Sequence, residues 1–384
     1  MKKLIRYTAF FSLTLLMICS CCFASLALEI KDTELELDAK SVVLIDANTG
    51  TLLYAHNKDE ALPPASVTKI MTLLLVMEAV DAGKFSLEDA VPVSEHAASM
   101  GGSQIFLEVG ETMTVRDMIK SVVIASANDA AVALAELVAG SESAFVSQMN
   151  KRAMELGMLN TFFENVTGLD DDTVNHLTSA YDIALMSREL LKHKTILEYT
   201  SIWMDTVRNG EFGLTNTNRL IRFYNGATGL KTGSTAKAKF CMSATAEREG
   251  LHLIAVVMGA SSRDARNLSA QRLLDFGFAN YAIYRDEEKS MQISILGANV
   301  QEFSATYTAC DILINKEDSN KIERSVEIKE NISAPIEKGE CVGSIIYTCN
   351  GTEIGRSDIF SEETVKKIGF FELYLRVLKK SILT

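Results

Sequence analysis

Ser66-Val67-Thr68-Lys69 sets a hydroxyl and an amine three residues apart, where an apolar run begins that reaches Val80. On a helix that spacing is nearly one turn, so both groups share a face within hydrogen-bonding reach. A lysine amine in a desolvated pocket sheds its proton near neutral pH and can act as base to the serine. Free N–H groups at a helix start favour the oxyanion that follows attack on a carbonyl. Ser126-Ala127-Asn128 lies between two helical patterns. Its hydroxyl can hand a proton to a leaving amine, and its amide can hold a lysine or a substrate carbonyl. Lys231-Thr232-Gly233 opens an extended run, where a cation and a hydroxyl suit a carboxylate and the glycine admits substrate close to the strand backbone. Singly, each has an ordinary structural explanation, a helix cap or a solvated lysine. The chain carries a second, coincidental SxxK at Ser234-Thr235-Ala236-Lys237. In this order, with the first motif at a helix start and the last on a strand, the three together point to acyl transfer through a serine ester.

The elements that must hold these residues follow from periodicity. Ser41 to Asp46 and Thr51 to Ala55 are β-rich runs joined by Ala47-Asn48-Thr49-Gly50, a hairpin signal. A helix is expected from Ser66 to Val80, with others at 114–124, 129–139, 142–157 and 179–193. Extended runs follow at 228–235, 239–247 and 251–260, then a helix at 264–276. Strands at both ends with helices between them predict one α/β unit over roughly 30–283, its sheet assembled from distant pieces. From about Arg285, alternating polar and apolar residues at 291–296, 310–314, 325–328 and 344–347 predict a small, separate β domain. Helical spacing returns in Val365, Ile368, Phe371, Leu375, Leu378 and Ile382.

The chain has 384 residues, 47% hydrophobic and 23% charged, enough for two or three domains and a sizeable core. Its 38 Lys and Arg against 50 Asp and Glu give a net charge of −12, which argues against a nucleic-acid partner. Residues 1–27 read as an export signal. Lys2, Lys3 and Arg6 precede an apolar run to Ile18, and Ser25-Leu26-Ala27 offers small residues at a cleavage site. That run is short for a membrane span of ~20 residues, and Ile18-Cys19-Ser20-Cys21 loosely resembles a lipoprotein signal. Cleavage after Ala27 moves the charge from −12 to −15 and removes Cys19, Cys21 and Cys22. Cys241, Cys310, Cys341 and Cys349 remain, too few for a disulfide framework. On one strand Cys341 and Cys349 would stand ~26 Å apart, and all four read as small buried hydrophobes. His56, His96, His176, His193 and His252 are scattered without paired-ligand spacing, so no metal is expected. Neither a GxSxG elbow nor a phosphate loop occurs, and the chemistry calls for no cofactor.

Pro63-Pro64-Ala65-Ser66-Val67-Thr68-Lys69, Ser126-Ala127-Asn128-Asp129-Ala130 and Gly229-Leu230-Lys231-Thr232-Gly233 closely resemble the low-molecular-mass penicillin-binding proteins, the serine-type D-alanyl-D-alanine carboxypeptidases. Leu156-Gly157-Met158 and Val257-Met258-Gly259-Ala260 resemble them too. The resemblance spans about 35–283 and extends to the layout beyond, and its character is similar to the sporulation-associated branch. It implies an α/β fold in which an antiparallel sheet is flanked by helices, with a helical subdomain and the site in the cleft between them. It also implies roles. Ser66 attacks the carbonyl between the last two D-alanines of a peptidoglycan stem peptide, and Lys69 takes its proton. Ser126 relays a proton to the departing D-alanine. Asn128 positions Lys69 and the substrate amide, while Lys231 and Thr232 bind the terminal carboxylate beside Gly233. The backbone N–H groups of Ser66 and Ser234 form the oxyanion hole, and Arg266 adds a carboxylate contact, with Arg263 as its competitor. β-Lactams would acylate the same serine.

The expected layout is a signal peptide at 1–27, a peptidase domain at 28–283, a β-rich domain at 284–360 and an amphipathic helix at 361–384. Between Thr364 and Thr384, five basic residues oppose only Glu372, a local charge of +4 in an acidic chain. That suits an anionic membrane surface and places the exported enzyme on the outer face of the cytoplasmic membrane; docking of the helix on the β domain is the competing expectation. Class A β-lactamases share the three motifs but use a Glu-x-x-Leu-Asn element, and here Leu156 stands where the glutamate belongs before Leu159-Asn160. An enzyme cutting or joining cross-linked peptides, and a penicillin-binding sensor without turnover, remain as alternatives built on the same residues.

Overall fold

The computed structural model describes residues 35–330 and 332–382. The described residues up to Ala282 and those from Ile283 pack as two compact units. In the first, β1 (Ser41–Asp46) and β2 (Leu52–His56) form the expected hairpin. Its turn closes because Asp46 Oδ2 accepts the Thr49 N–H and hydroxyl at 2.7 Å each and Gly50 takes a φ of 78°. The extended runs become β3 (Ala227–Thr235), β4 (Lys239–Arg248) and β5 (Leu251–Ala260). The sheet order is β2-β1-β5-β4-β3, antiparallel throughout. Strand β5 is a continuous apolar run because it lies in the middle of the sheet and is covered on both faces.

Helices supply the cover. The helix α1 (Lys69–Asp81) is buried from Lys69 to Met77 on every side, which is why it shows no amphipathic stripe. It packs with α2 (Asn128–Ala139), α3 (Glu142–Glu155) and α4 (Ala180–Leu190). Ser141 and Ser179 cap α3 and α4 by accepting the N–H three residues on. On the sheet lies α5 (Arg263–Asn280). At Gly277 a Cβ would stand 2.4 Å from Leu253 Cδ1 and 3.1 Å from Leu44 Cδ2, so the glycine permits the helix its close approach.

Strand β6 (Tyr281–Asp286) leads into the second unit. There β7 (Lys289–Ser294), β8 (Glu302–Tyr307), β9 (Cys310–Asn315), β10 (Ile322–Ile328), β11 (Cys341–Cys349) and β12 (Thr352–Ser361) follow. They build an antiparallel sheet in the order β7-β8-β12-β11-β10, with β6 paired to β9. Asp286 is buried and accepts from Tyr307 (3.2 Å), Tyr347 (2.8 Å) and Arg324 (3.0 Å), which compensates its charge. Cys341 and Cys349 sit at opposite ends of β11, and the four described cysteines are free.

The C-terminal helix α6 spans Phe370–Ile382 and starts later than the apolar spacing predicts. Val365 belongs instead to the β unit: it is buried and exchanges backbone hydrogen bonds with Ile336 at 2.8 and 3.0 Å. Ile368 N–H donates to Gly297 at 2.9 Å. The three-and-four spacing runs on through these two residues only by coincidence. Among the described residues no single helix is long and apolar enough to cross a membrane. Residues 1–27, expected to be an export signal, lie outside the described residues.

Candidate active site

The chain arrives at Ser66 through one 3-10 turn, Ala65–Thr68, which feeds directly into α1. Lys69 is buried, and its Nζ lies 2.9 Å from Ser66 Oγ and 2.8 Å from the Thr167 carbonyl. Burial pushes the Lys69 amine well below the usual lysine range; the Lys231 charge adds to this and Asp129 opposes it. A neutral amine donating one N–H to Thr167 can turn its lone pair on the serine hydroxyl.

Ser126 closes a π turn over Ser121–Ala125 and takes a left-handed φ of 64°, after which Asn128 opens α2. A non-glycine residue held there is uncommon, and the twist brings its hydroxyl to Lys231, whose Nζ is 2.9 Å away. Lys231 also donates to the Thr232 carbonyl at 2.7 Å. Burial, with the Arg266 charge, lowers the Lys231 amine to about 7. An arriving carboxylate would raise it again. Asn128 Nδ2 donates to Gly101 O at 2.7 Å, and its buried Oδ1 has no partner. Asn128 makes no hydrogen bond to Lys69; its amide anchors the 101–103 loop and leaves Oδ1 for an incoming N–H.

Strand β3 runs against the Ser66 turn. A Cβ at Gly233 would lie 2.8 Å from the Ser66 nitrogen and 2.9 Å from Pro64 O and Val67 N. Ser234, next along, is exposed at this seam, so its N–H and the Ser66 N–H belong to the two segments that meet. Thr232 donates to Thr217 at 2.8 Å. Arg266 is buried, held by Asn267 at 2.9 and 3.2 Å, and burial with the Arg263 charge lowers it to about 10. Arg263 is exposed; Arg266 is the arginine whose charge acts on Lys231.

The second SxxK does not form a pair: Lys237 donates to the Asp170 carbonyl and Thr235 to the Asp170 carboxylate. These contacts expose what sequence reasoning missed, a loop at 161–178 that reaches both the Ser66 turn and β3. Besides Thr167 and Asp170 it supplies Val166, whose carbonyl accepts from Thr72 at 2.7 Å, and His176, 2.8 Å from Thr68. Gly168, at φ 82°, lies so close to Ala65 that a Cβ would overlap its carbonyl oxygen. No local pattern announces this loop. Asp129, also unpredicted, accepts the N–H groups of Ile105 (3.0 Å), Leu107 (3.1 Å) and Ala130 (2.9 Å). Among the described residues no cluster of three His, Cys, Asp or Glu could hold a metal.

A serine within 2.9 Å of a buried lysine amine, faced by a second Ser–Lys pair, is the arrangement of an acyl-transferring serine enzyme. The D-alanyl-D-alanine carboxypeptidase family model matches residues 29–262, and the model of the penicillin-binding protein 5 C-terminal domain matches residues 278–367. The chain belongs to the D-alanyl-D-alanine carboxypeptidase family. It is 45% identical over 357 residues to D-alanyl-D-alanine carboxypeptidase DacF of Bacillus subtilis, covering 91% of each chain. Among solved structures, penicillin-binding protein 5 of Haemophilus influenzae superposes with a TM-score of 0.71 at 29% identity, over 87% of this chain and 99% of that one. Penicillin-binding protein D2 of Listeria monocytogenes in its ampicillin-bound form gives 0.59 at 33% identity, over 64% of this chain and all of that one.

Proposed function

We propose that this chain is a serine D,D-carboxypeptidase that removes the terminal D-alanine from peptidoglycan pentapeptides and is acylated on Ser66 by β-lactams. The observation that carries the reading is the 2.9 Å contact between Ser66 Oγ and the buried, pKa-depressed amine of Lys69. Lys69 takes the Ser66 proton as Oγ bonds to the carbonyl carbon, and the N–H groups of Ser66 and Ser234 hold the oxyanion. Collapse breaks the C–N bond, and Ser126, in contact with Lys231, passes a proton to the leaving D-alanine. Water then attacks the ester as Lys69, neutral again once a proton has reached the amine through Ser126, takes the water's proton. Lys69 returns it to Ser66 Oγ as the C–O bond breaks and the tetrapeptide leaves. Lys231, Thr232 and Arg266 hold the terminal carboxylate, Asn128 Oδ1 accepts the substrate amide N–H, and Gly233 keeps β3 open to the substrate backbone. No step calls for a cofactor.

The proposed layout is a signal peptide at 1–27, a peptidase domain at 28–283, a β-rich domain that takes in Val365 and so runs past the expected end at 360, and a tail helix that begins at Phe370. Phe370, Phe371, Leu373, Tyr374 and Leu375 are exposed apolar residues on a segment of net positive charge. That combination supports attachment to an anionic membrane surface, with the exported enzyme at the outer face of the cytoplasmic membrane.

The test is release of free D-alanine from a diacylated Lys-D-Ala-D-Ala peptide by the mature chain, with Ser66→Ala as control. Release that vanishes in the variant is expected. No release from the wild type, with penicillin still labelling Ser66, would overturn the carboxypeptidase reading.

A further inference from the structure

His176 lies outside the three motifs and takes no part in the reaction described above. It is 3% exposed, on the 161–178 loop where that loop meets the Ser66 turn. The Glu164 N–H donates to its Nδ1 at 3.0 Å, which makes Nδ1 the acceptor and leaves the proton on Nε2, 2.8 Å from Thr68 Oγ1. The Phe163 ring meets the imidazole edge-on at 5.7 Å. Burial pushes the imidazole down to about 4, against the opposing charges of Glu164 and Asp170, so the ring is neutral at pH 7.

Thr68 immediately precedes Lys69. Gly168, from the same loop, is pressed against both the Ala65 carbonyl and Thr68 Oγ1. Between these two contacts the Thr167 carbonyl accepts from Lys69 Nζ at 2.8 Å. That hydrogen bond fixes the rotation of the amine, and the loop around it is part of the burial that depresses its pKa.

We propose that His176 is a positioning residue for acylation: by tying Thr68 to Glu164 it holds the Thr167 carbonyl against Lys69 and keeps the amine dry and aimed at Ser66. The proposal rests on Lys69 being the base. Lys69 is faced by Lys231 from β3 and by Asp129 from α2, and neither contacts His176 through any hydrogen bond.

The experiment follows acylation by a fluorescent penicillin, and D-alanine release, from pH 5 to 9 in the mature chain. His176→Ala should slow acylation by about tenfold to a hundredfold, the scale of a small misplacement of reacting groups, with KM little changed. The acid limb of the profile should move to higher pH, because water admitted beside Lys69 relieves the burial that lowers its amine. His176→Gln, which keeps an N–H near the position of Nε2 but gives up the Nδ1 acceptor for Glu164, should move the limb part of the way back and restore part of the rate. A limb that stays in place in a folded His176→Ala protein overturns the proposal. If that protein does not fold, His176→Asn, which can keep an acceptor near Nδ1 for Glu164 but is too short to place its N–H at the Nε2 position against Thr68, decides in the same way. Lys69→Ala separates the two assignments: acylation at the wild-type rate in that variant removes the base itself, and the positioning role with it.

Discussion

Gly233 passes so close to the nucleophile that a Cβ on it would stand 2.8 Å from the Ser66 backbone nitrogen. The neighbouring limits are also backbone atoms, Pro64 O and Val67 N at 2.9 Å, and backbone cannot swing aside as a flexible side chain can. The glycine therefore sets the gap between the turn that carries Ser66, the proposed nucleophile, and the strand that carries Lys231 and Thr232, the proposed carboxylate clamp. Gly233→Ala should widen that gap and lower kcat/KM for D-alanine release about a hundredfold. Thermal unfolding should show a loss of about 1–3 kcal/mol, the range for overpacking a tight site.

If Lys231 clamps the substrate carboxylate as proposed, the reaction should have an alkaline limit. Burial, with the Arg266 charge, lowers its amine to about 7 in the free site, so as pH rises through that value the proposed clamp should lose its positive charge. The KM for a peptide ending in a free carboxylate should rise on the alkaline side, and kcat/KM should fall with it. With the same peptide ending in a carboxamide, the limb should disappear. Steady-state rates from pH 5.5 to 9 on both peptides make the comparison, and identical limbs would remove Lys231 from carboxylate recognition.

Asp129 acts on Lys69 from the other side, since its charge raises the Lys69 pKa while burial and Lys231 lower it. Asp129→Asn removes that charge at nearly constant volume. The Lys69 amine should then fall further, moving the acid limb of acylation to lower pH, the direction opposite to that expected for His176→Ala. The new amide cannot accept all three backbone N–H groups of Ile105, Leu107 and Ala130 with an NH2 in place of one oxygen. An unfolding cost of about 1–3 kcal/mol should accompany the shift.

The three motifs were legible because each is local: a spacing of three across the turn that opens α1, a tripeptide before a helix, a tripeptide on a strand. The β1–β2 hairpin was legible for the same reason. The loop at 161–178 was not, because its meaning lies in contacts with residues far off in the chain. Thr167 meets Lys69 across 98 positions, Val166 meets Thr72 across 94, and His176 meets Thr68 across 108. Sheet order was hidden likewise, since β1 pairs Ser41 with Met258. Asn128 shows the limit of a motif. Its place in the site was readable, but its hydrogen bond to Gly101 depends on a loop that no local spacing specifies.

His176 also gives the fold an acid sensitivity whose sign is fixed. Its pKa is about 4 in the folded chain against an ordinary 6.5, so between those values the unfolded chain binds the extra proton. Stability is unaffected above pH 6.5 and declines as pH falls toward 4, by about 3 kcal/mol in all for this one group. Chemical denaturation of wild type and His176→Gln at pH 7 and pH 4.5 should show a smaller loss in the variant. Equal losses would mean that the imidazole is not buried neutral.

The tail divides at a residue that the apolar spacing does not mark. Val365 is buried in the β unit and paired with Ile336, whereas Phe370 and Phe371 are 86% and 75% exposed on α6. Two truncations should therefore behave differently. Ending the chain at Gly369 should release the protein from vesicles containing anionic lipid, with D-alanine release and melting unchanged. Ending it at Glu363 removes Val365 as well, a buried β-branched side chain worth about 1.5–3 kcal/mol of burial, together with two backbone hydrogen bonds. That shorter chain should lose membrane binding and also melt the β unit at a lower temperature. Co-sedimentation with vesicles of zwitterionic and anionic composition reads the first effect, and calorimetry reads the second. Continued binding of the chain that ends at Gly369 would move the attachment off α6, because none of the exposed aromatic and leucine side chains of the helix would then remain to enter the interface.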